Sequence, residues 1–144
     1  MAVSTTLRLL MGVVSMALLA ACGGVANPGP GSTSQARLIV ATDADNGKTV
    51  HLHVGDQLEV KLDSTYWTIQ ESPDVAVLRL TGPMAVSPRP NGCVPGGGCG
   101  LAIAFFDAVG SGSADVSASR TSCGEAMACV GGAGSYRLSV VVSP

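Results

Sequence analysis

Apolar and polar residues alternate along most of the chain after residue 48. Val50, Leu52 and Val54 alternate with Thr49, His51 and His53. After a Gly55-Asp56 turn, Leu58, Val60 and Leu62 alternate with Gln57, Glu59, Lys61 and Asp63. Ala114, Val116 and Ala118 alternate with Asp115, Ser117 and Ser119, and Tyr136, Leu138, Val140 and Val142 with Ser135, Arg137 and Ser139. A period of two places alternate side chains on opposite faces, so each run predicts a strand with one buried and one wet face. Leu101–Val109 is apolar on both parities, as in a strand with little wet face. Shorter apolar runs at 37–42, 66–70 and 75–80 add further strands, and Met84-Ala85-Val86 resumes the last of them.

Turn residues separate these runs. Asn46-Gly47 is a hairpin signal, and Gly82-Pro83 and Gly110-Ser111-Gly112 break the chain. No helical period is visible after the N-terminal leader. The fold class is therefore all-β, a sandwich of about seven strands. Trp67, the sole tryptophan, shares parity with Ile69 and is read as filling the space between the sheets.

The N-terminus follows a different pattern. Arg8 precedes the apolar run Leu9–Leu19, about 11 residues long, too short for a spanning helix of roughly 20 but suited to a leader. Leu19-Ala20-Ala21-Cys22 follows and resembles the bacterial lipobox, in which the cysteine thiol is acylated before cleavage. That resemblance implies a lipoprotein signal peptide over 1–21, a lipid on Cys22 as membrane partner, and an extracytoplasmic location at the cell membrane. Residues 22–35 hold the lipidated cysteine and a Gly/Pro/Ser-rich tether, which spans on the order of 20 Å. The folded domain is 36–144.

Composition narrows the partners. Net charge is −2 and no basic patch stands out, so nucleic acid is excluded as a partner. No Ser/His/Asp order, paired carboxylates or phosphate-cradling loop is placed as catalysis would need, so no enzyme and no cofactor is expected. Asp43-Ala44-Asp45-Asn46-Gly47 is close to a calcium loop, but Gly47 comes one place early and no bidentate Glu follows, so a turn is expected. His51 and His53 share the wet face of a strand. With no third ligand in view they are read as exposed side chains, and no metal site is expected.

Setting Cys22 aside, Cys93, Cys99, Cys123 and Cys129 remain. An even number in an exported chain reads as disulfides, and the lack of Cys-x-x-Cys spacing disfavours zinc. Three pairings are open. Local pairs, Cys93–Cys99 and Cys123–Cys129, are the default because each closes a short Gly-containing loop. Crossed pairs become available if the loops are neighbours.

In its order of features the chain resembles the chagasin family, exported inhibitors of papain-like cysteine peptidases. Val50–Leu62 is similar to the family's opening strand, Gly-Asp turn and second strand. Ser64-Thr65-Tyr66-Trp67 matches the context of its Trp, without the Asn-Pro-x-Thr-Gly loop that precedes it there. Pro95-Gly96-Gly97-Gly98-Cys99-Gly100 before Phe105-Phe106 is similar to its Gly-rich loop. Arg120-Thr121-Ser122 falls at its Arg-Pro-Trp-like motif, where only the Arg matches. The resemblance, over roughly 48–142, implies an immunoglobulin-like sandwich with binding loops at Gly96, Gly97, Gly98, Arg120, Thr121 and Ser122. The expected function is a lipid-anchored protein-binding module, a peptidase inhibitor with altered or lost inhibitory loops. Its partner would be a papain-like peptidase or another extracytoplasmic protein. The alternative is an accessory cell-envelope lipoprotein without inhibitory activity. Aromatic or arginine anchors are scarce in these loops, which offer Arg89, Arg120, Val94 and Met127.

Overall fold

A computed structural model describes residues 35–144 apart from Pro73, Arg89 and Ala126. The leader, Cys22 and all of the tether but its last residue lie outside the described residues. The described residues belong to one compact unit, and its buried core side chains fall between Ala41 and Val142. The domain therefore carries its own core.

Among the described residues there are nine strands, two of them only two residues long. In chain order they are β1 (Leu38–Thr42), β2 (Thr49–His53), β3 (Gln57–Asp63), β4 (Thr68–Ile69), β5 (Leu78–Leu80), β6 (Ala85–Val86), β7 (Leu101–Ala108), β8 (Gly112–Ser119) and β9 (Ser135–Ser143). One sheet has the order β1-β3-β7-β5, with β6 also paired to β7; the other has the order β2-β9-β8-β4. β5 and β6 act as one interrupted edge strand, both antiparallel to β7. The pairs β1–β3 and β2–β9 are parallel and the rest antiparallel. This is a β-sandwich, as the alternation predicts, and an immunoglobulin-like one, as the resemblance implies.

Most of the alternating residues point as expected; the exceptions are Val54, which lies past the end of β2 and is 45% exposed, and Glu59, which is buried. Leu58, Val60 and Leu62 of β3, Val116 of β8 and Leu138 and Val140 of β9 are fully buried. Trp67 is 4% exposed and belongs to the core. In β7, Ala102, Ala104, Phe106 and Ala108 are buried, while Leu101, Ile103 and Phe105 are half-buried on the outer face. Phe105 lies in one row with Glu59 and Val40. There Glu59 is buried against its neighbours and pairs with Lys61 Nζ at 3.2 Å. The second apolar parity of β7 is thus a half-covered outer face.

The Asn46-Gly47 turn signal acts differently from a plain hairpin. β1 and β2, on either side of Asn46-Gly47, lie in different sheets, joined over a single 3-10 turn at Asp43–Asp45. Asn46 and Gly47 bond to β9 instead: Asn46 Nδ2 donates to Ser135 O, Asn46 Oδ1 accepts from Arg137 N, and Gly47 N donates to Arg137 O. The same turn uses its acids on the backbone. Asp45 Oδ2 accepts from Thr42 N, and Asp43 Oδ2 accepts from Asp63 N. Both carboxylates of the calcium-like sequence therefore cap main chain.

At the opposite end of the sandwich the N-terminal segment enters. Arg37 is fixed there to Asp56, which is 3% exposed. Arg37 Nη2 donates to Asp56 Oδ2 at 2.7 Å, and Arg37 N and His53 N donate to the same carboxylate. His53 Nδ1 lies 2.9 Å from Arg37 Nη2. Hydrogen bonds from Arg37 and from the His53 amide hold the Asp56 carboxyl well below the usual aspartate range. A depressed folded-state pKa stabilises above the unfolded value and loses that contribution as pH falls toward the folded one. Asp56→Asn is accordingly expected to lower urea stability at neutral pH. Its difference from the wild type should shrink as pH drops below about 4, which urea titrations at stepped pH would measure.

Candidate functional site

The strand directions bring three connections to the end away from Arg37. They are the short link 64–67, the long link 87–100 and the link 120–134 between β8 and β9. The last two each contain a disulfide, Cys93–Cys99 and Cys123–Cys129. The local pairing is the one formed.

Backbone hydrogen bonds join the three links. Ser64 N donates to Gly100 O at 2.8 Å, and Thr65 N to Gly98 O at 2.9 Å. Gly98 has φ +63, and a Cβ there would collide with the Tyr66 ring and stand 2.9 Å from Ser64 Oγ. Only glycine allows this approach. Ser64 itself has φ 129, unusual for a residue with a side chain, and its Oγ accepts from Tyr66 N. The link 120–134 begins as a small hairpin in which Cys129 N donates to Thr121 O, Cys123 N to Met127 O, and Ser122 bridges to Ala128. Its tip reaches the first cysteine loop, where Glu125 N donates to Gly96 O at 2.8 Å.

Arg120 lies beneath these contacts, half-buried. Its guanidinium carbon sits 4.4 Å from the centroid of the Trp67 ring. Nε donates to Ala133 O at 3.2 Å and Nη1 to Asp63 O at 3.4 Å. Above it opens a cleft of about 440 Å³, lined by Asp63, Ser64, Pro90, Gly97, Gly98, Cys99, Gly100, Arg120 and Cys123. Around the cleft the loops expose Val94 (50%), Met127 (63%) and Val130 (80%). Nearby, burial and the charges of Asp45 and Asp43 push the Tyr136 phenol up to about 12.

The residues singled out from sequence thus occupy different places at one end. Gly96 to Gly98 form a wall and an inter-loop contact. Arg120 clamps the base, and Thr121 and Ser122 form the stem of the second hairpin. Val130, the most exposed of the large apolar residues among those described, was not singled out; an apolar residue directly before Gly131-Gly132 was its signal. His51 and His53 lie exposed on β2, which is an edge strand. Among the described residues no group of three His, Cys, Asp or Glu could hold a metal ion. No helix among them is long and apolar enough to cross a membrane.

The fold of the described residues is an immunoglobulin-like β-sandwich, with the three links gathered at one end. No protein-family model and no curated protein sequence matches the chain. Among solved structures it is similar to the cysteine protease inhibitor EhICP2 of Entamoeba histolytica. The TM-score is 0.54 and the identity 13%, over 76% of this chain and 98% of that one. It is also similar to amebosin, with TM-score 0.50 and 16% identity over 73% of this chain and 97% of that one. At these identities the shared property is the fold.

Arg120 and Val130 should behave oppositely on substitution. Arg120→Ala removes the stack on Trp67 and two bonds to carbonyls, with an expected loss of about 1–3 kcal/mol in urea unfolding. Val130→Ser is expected to change stability by no more than about 0.5 kcal/mol.

Proposed function

We propose that the chain is a lipid-anchored extracytoplasmic module that binds another protein through the three-loop end and acts on a papain-like cysteine peptidase as an inhibitor. The observation that carries this reading is the loop end itself. Two disulfide-closed loops and the 64–67 link are bonded into one unit that presents Val94, Met127 and Val130 to solvent. Such preorganisation lowers the ordering cost of association. The likeness to EhICP2 supports an inhibitory, non-catalytic role. The lipobox-like Leu19-Ala20-Ala21-Cys22 supports the anchor.

One observation favours a second reading, an envelope lipoprotein that binds a protein other than a peptidase. The 64–67 link is drawn down onto Gly98 and Gly100 and is too short to project as a central wedge. An inhibition titration decides between the two. Oxidised 23–144 is expected to inhibit at least one papain-like peptidase stoichiometrically, and Met127→Asp or Val130→Asp to weaken that inhibition about 10- to 30-fold. Absence of inhibition at micromolar concentration across several such enzymes would leave the second reading. The anchor has its own test. Cells fed a radiolabelled fatty acid should label the wild-type chain and not Cys22→Ala; equal labelling would remove the lipid from the description.

A further inference from the structure

We infer that the cleft between the loops is a receptor for a carboxylate of the bound protein, either an acidic side chain or a chain terminus. This deepens the protein-binding reading and rests on it. Three observations at one place carry it.

First, Arg120 brings a positive charge to the cleft that no carboxylate neutralises. Among the described residues none lies within salt-bridge distance of it. A guanidinium has five N–H groups. Two of them hold Ala133 O and Asp63 O, and among the described residues the other three have no acceptor. The stack on Trp67 fixes the plane of the group, so the remaining donors are preorganised. Second, the wall of the cleft carries the successive amides of Gly98, Cys99 and Gly100, whose carbonyls at 98 and 100 bond to Thr65 and Ser64. Among the described residues their N–H groups have no acceptor. Third, φ is positive at Gly96, Gly98 and Gly100 but not at the residues between them. Alternation of this kind is how main chain forms anion-binding concavities. A Cβ would crowd its neighbours at two of these positions, meeting the Tyr66 ring at Gly98 and standing 2.8 Å from Ser87 Oγ at Gly100, while at Gly96 the positive φ alone favours glycine.

Asp63 lines the same cleft and has no cation within salt-bridge distance among the described residues. Its charge opposes an incoming carboxylate and gives the inference a second handle. The cleft also reverses the roles in docking: the partner inserts a group into this chain.

The test is an amide-resolved NMR titration of oxidised 23–144 with three acetylated tripeptides at constant ionic strength. One ends in Gly-Gly-Glu amide, one in Gly-Gly-Gly with a free carboxylate, and one in Gly-Gly-Gln amide. The Gly98, Cys99 and Gly100 amides and Arg120 Nε are expected to shift with one or both carboxylate peptides, about tenfold more tightly than with the Gln control. Whichever carboxylate peptide binds identifies the source. Asp63→Asn is expected to tighten binding severalfold, and Arg120→Lys to weaken it about tenfold while amides elsewhere keep their positions. Equal shifts with the Gln control, or no shift at these amides up to tens of millimolar, would overturn the inference. The peptidase titration does not depend on this outcome. Inhibition without a carboxylate-specific shift retains the inhibitor and removes the receptor. A specific shift without inhibition retains the receptor and points to the second reading.

Discussion

The stack of Arg120 on Trp67 holds the loop end to the sandwich. Trp67 belongs to the core, and the guanidinium covers it at 4.4 Å. The same guanidinium bonds Asp63 O, at the end of β3 in one sheet, and Ala133 O, just before β9 in the other. One side chain therefore seals the core and crosses between the sheets where the loops leave. A cation over an aromatic face gains when it is partly desolvated, as it is here. Gly98 and Gly100 can then dock on the 64–67 link, where the Thr65 and Ser64 amides donate to their carbonyls.

Loops rich in glycine carry a cost in order. Gly96 to Gly98 and Gly100 would sample many conformations in an unrestrained chain. Each disulfide closes its loop covalently, and the Glu125–Gly96 bond couples the two. Closing a loop of this size removes unfolded-state freedom worth about 2 kcal/mol, and the bridge also restricts the folded loop. Glycine is retained because the backbone must pass close to Tyr66 and Ser87, and the disulfides restore the order that glycine gives up.

Much of this was legible in the chain. The alternation at 57–63, 112–119 and 135–143 identified strands and their buried faces, because one buried face leaves a period of two. Trp67 was legible as core from its parity. Pairing across sheets was less visible. Asn46-Gly47 reads as a hairpin locally, yet the Asn46 side chain and the Gly47 amide bond to β9, a partner some ninety residues away. Arg120 reads as an exposed contact residue, and the structure turns it inward onto Trp67. The bonds among Gly96, Gly98, Gly100, Ser64, Thr65 and Glu125 are almost all backbone to backbone, so no residue type announces them. The cysteine spacing suggested local bridges but could not decide them, since the loops are in fact neighbours.

The two ends of the domain are built on opposite uses of an arginine. Arg37 meets a buried carboxylate that takes its charge in a direct pair, and Asp56 accepts four bonds in doing so. Arg120 meets two neutral carbonyls and an aromatic face, so its charge is held without being neutralised. A paired charge at the chain's entry gives rigidity and little reason to attract a ligand. An unpaired charge under a cleft keeps its field available to whatever docks there. With few aromatic anchors on the loops, affinity must come from apolar rim contacts and a preorganised polar floor together, rather than from one dominant hot spot. That combination requires the floor to be fixed before the partner arrives, and the Trp67 stack, the glycine contacts and the two disulfides all act to fix it.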